Sequence, residues 1–352
     1  MTSKIIGVGK YIPTQIITNL FFKGHDFLDE SGKNFKHSNE VIADKLKDIT
    51  GIEERRYAKE DQVTSDLGLI AALEAIENAN IDPETLDYII FAHNFGDVYH
   101  GTVQSDTVPS LAARVKHLLK IKNNFCVAYD VLFGCPGWIE GVIQSNAFIK
   151  SGIAKRCLVI GAETLSRVVD IHDRDSMIYA DGAGAVVMEL STNESGILSH
   201  LSASYTLEEK DYLFFGVSNN KALNSETKYI KMNGRKIYEF GLKNVPQAMK
   251  TCFDQSGKNI EDLTKIIIHQ ANEKMDEAIV ERFYKLYQKD VPKDIMPMVI
   301  NKLGNSSVAT IPTLLKMIMN DELPSHKINP GDVVLFASVG AGMNINAITY
   351  QF

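Results

Sequence analysis

Hydrophobic and polar positions along this chain follow two periods. Nearly continuous apolar runs at residues 125–132, 157–162, 265–268 and 333–337 have the length of buried strands. Between them lie longer segments with helical spacing. Residues 138–150 repeat Ile139, Val142, Ile143, Ala147 and Phe148 at that spacing. Strand-sized runs alternating with helix-length segments predict an α/β fold. Two polar stretches interrupt the alternation: 25–47 predicts a surface loop and helix insertion, and 218–228 predicts a loop.

The pattern also repeats. Residues 79–94 (ANIDPETLDYIIFAHN) and 258–272 (KNIEDLTKIIIHQAN) each read as a helix end, a polar turn and a buried strand. Phe133-Gly134-Cys135 opens one helical segment and Leu303-Gly304-Asn305 opens another. The run 157–162 then matches 333–338 as a buried strand ending in small residues. Three matched pairs in one order predict a duplicated architecture, residues 1–194 followed by 195–352. Two such halves about a pseudo-twofold axis would bring corresponding strand and helix ends together at the centre, and Cys135, His269 and Asn305 all lie at such ends.

Composition narrows the chemistry. A chain of 352 residues can bury a large core. Its formal charge of −7 disfavours nucleic acid as a partner and leaves room only for a local basic patch. The apolar runs are far too short to span a bilayer, and the N-terminal stretch through Lys4 to Pro13 lacks a secretory signal, so a cytoplasmic protein is expected. Four cysteines without CxxC spacing indicate neither zinc nor a disulfide framework. Each is then a packed core residue or a nucleophile.

Cys135 lies between an apolar strand and a helical segment, in Gly134-Cys135-Pro136-Gly137, and Pro136 suits a first helical position. A thiol just ahead of a helix start meets unpaired N–H groups and the positive end of the helix dipole, which predicts a lowered pKa and a nucleophile. Burial as a structural cysteine is the better reading for Cys126 and Cys157. His269 leaves the run 265–268 at its carboxyl end, the usual site position of open α/β sheets, although imidazoles also serve as packed hydrogen-bonding groups. Asn305, in Gly304-Asn305-Ser306-Ser307, is equally good turn and cap chemistry, and only its match to the Cys135 turn raises it above that. The stretch 179–187 lacks the lysine of a phosphate loop and precedes a strand, so its glycines read as structural. Val339-Gly340-Ala341-Gly342-Met343 lets backbone approach a ligand, and an N–H there suits an oxyanion hole.

Taken together these residues resemble the β-ketoacyl-[acyl-carrier-protein] synthase III family of thiolase-like condensing enzymes. The resemblance begins at Lys4–Pro13 and runs through Thr50-Gly51-Ile52-Glu53-Glu54-Arg55-Arg56, the Cys135 turn, Asp181-Gly182-Ala183-Gly184-Ala185, His269-Gln270-Ala271-Asn272, Gly304-Asn305-Ser306-Ser307 and the terminal glycine loop. It implies a five-layered αβαβα core, a homodimer, and a catalytic Cys135, His269 and Asn305. Cys135 would take an acyl group from a thioester, and a malonyl thioester on acyl carrier protein would lose carbon dioxide. His269 and Asn305 would donate hydrogen bonds to the resulting enolate, and the N–H groups of Cys135 and Ala341 would hold the oxyanion. Acyl thioesters and acyl carrier protein are the implied substrates and partner, with no cofactor or metal.

Departures from the family pattern bear on substrate. The Trp and Arg that clasp a coenzyme A primer just before Thr-Gly-Ile are absent from Asp44-Lys45-Leu46-Lys47-Asp48-Ile49, although an aromatic residue elsewhere in the polar insertion would restore the clasp. Arg174 is retained, Lys274 replaces an arginine, and Val108 stands where a phenylalanine often limits the acyl pocket across the dimer. Gly340 and Gly342 complete the expected substrate contacts. A roomier pocket and a donor other than acetyl-coenzyme A are therefore expected. Arg235, Lys243, Lys250 and Lys274 are candidates for a cationic rim that docks the acidic carrier. The rival readings are a polyketide-type synthase or acyltransferase joining longer acyl chains, a non-catalytic partner subunit of the same fold, and a cysteine hydrolase.

Overall fold

The computed structural model describes residues 2–352. In chain order it runs β1 (Ser3–Tyr11), β2 (Gln15–Thr18), α1 (Asn39–Thr50), β3 (Glu54–Tyr57), α2 (Thr64–Ala79), β4 (Tyr88–Ala92), α3 (Leu111–Leu118), β5 (Val127–Val131), α4 (Gly137–Lys150), β6 (Arg156–Thr164) and β7 (Asp181–Leu190). It continues with β8 (Gly196–Ser204), β9 (Leu213–Val217), β10 (Lys228–Met232), α5 (Gly234–Gln255), β11 (Leu263–Ile268), α6 (Glu273–Lys285), α7 (Ile300–Leu303), α8 (Thr310–Met319), β12 (Val333–Gly340) and β13 (Asn344–Gln351).

Two sheets carry the molecule, with strand orders β1-β7-β6-β4-β5 and β11-β12-β13-β8. In the first, β4 is parallel to β6, while β6–β7 and β7–β1 are antiparallel. In the second, β11 is parallel to β12, while β12–β13 and β13–β8 are antiparallel. The second sheet thus repeats four strands of the first in order and sense. The matched segments of the sequence are β4 with β11 and β6 with β12. Strand β5 has no counterpart and leaves the first sheet with an open edge.

Helices α4 and α8 lie between the sheets. Helix α4 packs on β4 and β6 and also reaches β12 and β13; α8 packs on β1 and β7 and also reaches β11. Outside them, α2 and α3 cover the first sheet, and α5 with α6 covers the second. This is the expected five-layered thiolase-like core. The central position explains the sequence of α4, which buries Trp138, Ile139, Val142, Ile143 and Ile149 at once. Each such side chain contributes about 1.5–3 kcal/mol when taken fully out of water. Strands β6 and β12 are covered on both faces, which accounts for their unbroken apolar runs.

The polar insertion is a loop at 25–38 followed by α1, whose Ser38 caps the Val41 N–H. The polar stretch 218–228 connects β9 to β10. That hairpin was not foreseen from the sequence, because its two strands form a sheet of their own and carry no buried apolar run. Strand β7 begins at Asp181, ahead of the predicted start, and the Asp181 carboxylate accepts from Ala58 N, Ser166 N and Ser166 Oγ at 2.7, 2.9 and 2.6 Å. The structural reading of that glycine-rich motif is correct. No helix of the described residues is long and apolar enough to cross a membrane.

Candidate active site

Cys135 sits in the turn between β5 and α4, one residue ahead of Pro136, which is the N-cap rather than the first helical residue. The turn needs Gly134, whose φ is +68° and whose Cβ, were there one, would lie 2.6 Å from the Ala341 nitrogen. From the other side, a Cβ on Gly340 would lie 2.4 Å from the Cys135 nitrogen. Bare backbone on both partners therefore lets the Cys135 turn and the terminal glycine loop touch. Asn344 Nδ2 joins them, donating to Phe133 O at 3.3 Å and Ala341 O at 2.9 Å.

His269 follows β11 directly and its N–H donates to Ala337 O of β12 at 2.9 Å. Its Nδ1 lies 2.6 Å from Thr310 Oγ1, and that hydroxyl donates to Ser307 O at 2.7 Å. One hydroxyl hydrogen cannot serve both acceptors. The network therefore assigns the imidazole proton to Nδ1, so that neutral His269 offers a lone pair at Nε2. Asn305 follows the short α7 and is held by backbone pairing, Ala180 N to Asn305 O at 2.8 Å and Asn305 N to Ile178 O at 3.0 Å. Its Oδ1 accepts from Ser307 N at 2.8 Å, which fixes the amide and leaves Nδ2 as the free donor group. The expected helix after Asn305 starts later than the one after Cys135: a 3₁₀ turn at Ser307–Ala309 precedes α8.

Electrostatics correct one expectation. Burial pushes the Cys135 thiol up to about 11, against a lowering hydrogen bond from Ser307. The helix terminus favours the thiolate, but desolvation of the buried thiol outweighs it. Burial likewise pushes His269 down to about 4. The resting pair is a neutral thiol and a neutral imidazole.

Cys135, His269 and Asn305 line one cavity of about 950 Å³, together with Gly340 and Ala341. One part of its wall is apolar, formed by Leu165, Leu213, Phe214, Phe215 and Ile230. Phe215 stacks on Phe95 at 5.1 Å between ring centroids, so the β9–β10 hairpin closes this side. The wall also carries Phe35, Lys45, Arg174 and Arg235. The Arg174 guanidinium lies 5.1 Å over the Phe35 ring. The insertion therefore supplies an aromatic partner to Arg174, which the stretch 44–49 does not.

Comparison with known proteins places this geometry. Profiles of 3-oxoacyl-[acyl-carrier-protein] synthase III match residues 129–205 and, for its C-terminal part, residues 253–352. The β-ketoacyl-[acyl-carrier-protein] synthase III of Aquifex aeolicus is 33% identical over 354 residues, covering 100% of both chains. The chain belongs to the β-ketoacyl-[acyl-carrier-protein] synthase III family. Its fold matches the crystal structure of the Aquifex aeolicus 3-oxoacyl-[acyl-carrier-protein] synthase III with a TM-score of 0.82 and 31% identity, over 99% of this chain and 100% of that one. The priming β-ketosynthase of the R1128 polyketide pathway shares the fold at a TM-score of 0.80 and 21% identity, over 99% of this chain and 96% of that one.

Not every residue expected from the family resemblance reaches the cavity. Val108 is 85% exposed and does not line the cavity of its own chain. Lys274, on the first turn of α6, is exposed, and neither it nor Gly342 lines the cavity. Of the suggested rim, Arg235 stands at the cavity but pairs with Glu239 at 2.8 Å. Lys243 lies outside it, and Lys250 is engaged by Asp254 at 2.6 Å and by the Tyr287 ring at 4.1 Å. The sequence reading missed Phe35, Asn94, Ser307 and Thr310. Asn94 carried a signal, since it lies just past the strand that repeats β11, and Ser307 lay within the motif that holds Asn305.

Proposed function

We propose that this family member is a decarboxylative condensing enzyme of fatty acid or related lipid biosynthesis, with the acyl group carried on Cys135. The observation that carries the reading is the convergence of Cys135, His269 and Asn305, from ends in both repeated units, on one cavity lined by apolar side chains and by Lys45, Arg174 and Arg235. In the first step the Cys135 sulfur attacks a donor thioester. Its proton passes to His269 Nε2 and then to the departing thiolate, leaving an acyl-Cys135 thioester and a free carrier thiol. In the second, malonyl-acyl carrier protein loses carbon dioxide, and the electron pair of the broken bond forms an enolate. Asn305 Nδ2 donates to the enolate oxygen, and such a donor contributes about 3–4 kcal/mol. His269 supplies a second donor only while Nε2 holds a proton. The carbanion then attacks acyl-Cys135, whose oxyanion meets the N–H groups of Cys135 and Ala341, and Cys135 leaves as thiolate.

The reading assigns the nucleophile to residues 1–194 and the other two groups to 195–352. It needs no cofactor beyond the thioesters. Four free cysteines, three of them buried, suit a reducing, cytoplasmic setting. A homodimer formed at the β5 edge is supported by the exposure of Phe125, Val127 and Leu132 along it, at 89%, 46% and 65%. Acyl carrier protein would approach the side bearing Lys45, Arg174 and Arg235. The rival with longer acyl chains keeps the same chemistry and is favoured by the aromatic, apolar wall of the β9–β10 hairpin. Mass spectrometry of Cys135 after exposure to a mixed pool of acyl-coenzyme A and acyl-carrier donors, followed by a malonyl-dependent carbon dioxide assay, tests the proposal. An unmodified Cys135, or product without carbon dioxide release, would sink it.

A further inference from the structure

The β9–β10 hairpin brings Leu213, Phe214, Phe215, Ile230 and Met232 to the cavity, yet it is a two-stranded sheet of its own. Such a ribbon is marginal unless something else holds it. Among the described residues of β9 and β10 only one is buried, and it is a lysine: Lys231 is 7% exposed. Ile230 and Met232 line the cavity, and strand alternation turns Lys231 to the opposite face. There its ammonium donates to Asp170 Oδ2 at 2.6 Å, Asp173 Oδ2 at 2.8 Å and Asn219 Oδ1 at 3.0 Å. An ammonium has three N–H groups, so each has a partner. Asp170, 2% exposed, also accepts from Ser218 Oγ at 2.9 Å and Asn219 N at 2.7 Å, which ties the chain leaving β9 to the same carboxylate. Asp173 Oδ1 accepts from Asp175 N at 3.0 Å and so caps the turn that carries Arg174 to the cavity. Asn219 Nδ2 donates to Leu28 O at 2.9 Å and Leu28 N to His172 O at 2.8 Å, so the insertion that supplies Phe35 joins the cluster as well.

We propose that Lys231 is a positioning residue for binding of the thioester donor: its buried ion pairs with Asp170 and Asp173 hold the hairpin, the Arg174 turn and the insertion together as one wall of the cavity. This rests on the reading that Cys135 takes its acyl group from a donor bound in that cavity. Lys231 does not line the cavity and acts only through the segments it joins. Removing one partner of a buried ion pair leaves the others as uncompensated charges, so the wall loosens strongly. A wall in place only part of the time lowers the fraction of binding-competent molecules. The half-saturating donor concentration then rises in proportion, and the step at Cys135 keeps its rate.

Two readouts on the full chain test this. One is deuterium exchange of peptides covering residues 213–232. The other is acylation of Cys135 by octanoyl-coenzyme A and by octanoyl-acyl carrier protein, followed by mass spectrometry over a range of donor concentrations. Lys231→Met keeps an unbranched apolar stem and removes the charge. Exchange in the hairpin should quicken by about a hundredfold. Half-saturation should rise about tenfold, with the maximal acylation rate within about twofold of wild type. Asp173→Asn has one acceptor oxygen for two donors, Lys231 Nζ and Asp175 N. It should move both readouts the same way, by about tenfold in exchange and about threefold in half-saturation. Wild-type exchange in Lys231→Met overturns the proposal. So does a maximal rate that falls while half-saturation stays in place, and so does a smaller folded fraction with both constants unchanged, which would make the lysine merely structural. If Lys231→Met does not fold, Asp173→Asn decides by the same criteria. Failure of the underlying reading looks different: neither donor would label wild-type Cys135, while hairpin exchange would still report whether Lys231 holds the wall.

Discussion

His93 and His269 occupy the same place in two repeats of one architecture and are put to different uses. Each follows the last residue of a corresponding strand, β4 and β11. His93 has both ring nitrogens engaged. Gly96 N donates to Nδ1 at 2.9 Å, which puts the proton on Nε2 for Asp130 Oδ2 at 3.0 Å. That Asp130 also accepts from Leu111 N and Ala112 N at 2.8 Å, at the start of α3. His269 has only Nδ1 engaged, by Thr310, and Nε2 is left to the cavity. A histidine at a strand end thus becomes structural when a neighbouring backbone turn and a carboxylate consume both nitrogens. It stays chemically available when the network stops at one.

The comparison can be broken by experiment. His269→Ala should slow condensation by about 10²–10⁴-fold, the span of a lost proton carrier, with the thermal midpoint nearly unchanged. A rate within a factor of two of wild type would make the two histidines equivalent. His93→Ala should do the reverse. It leaves Gly96 N and one Asp130 oxygen short of a partner and should cost about 2–4 kcal/mol in denaturant unfolding. The activity of its folded fraction should remain within a few-fold of wild type.

Removing the Thr310 hydroxyl sharpens the tautomer argument. Thr310→Val should lower the acylation rate about tenfold, and Thr310→Ser should restore it. Equal rates in both variants would mean that the ring needs no orienting partner. The smallest effect is on the pH dependence of stability. His269 titrates at about 4 when folded, against 6.5 for the free side chain, so the unfolded chain takes up this proton first as pH falls. The stability associated with neutral His269 is complete above pH 6.5 and is lost between there and about 4. His269→Gln should therefore lose less of its thermal midpoint over that window than wild type does. Parallel slopes would contradict the depressed value.

Much of this was legible in the residues themselves. Apolar runs covered on both faces announced β6 and β12, and the rhyme between 79–94 and 258–272 announced β4 and β11. The Gly134-Cys135-Pro136 turn and the histidine after a buried strand marked two of the three cavity residues before any coordinates. The hairpin β9–β10 was not legible, because its short strands stand apart from both main sheets and carry no buried apolar run. Phe35 was not legible either. Its meeting with Arg174 depends on how a loop 139 positions away in the chain folds back, which no local pattern encodes.

By itself, the order of apolar and polar residues determined the doubled α/β architecture, the two turns that carry Cys135 and Asn305, and the resemblance that named the family. Such features depend on periodicity and on glycines at fixed offsets, and both are local. Tertiary structure decided the protonation and orientation of the chemistry: a thiol raised by burial, and an imidazole whose proton is assigned by Thr310. Those properties depend on dielectric surroundings and on hydrogen-bond partners, which exist only once the two sheets have closed on the central helices.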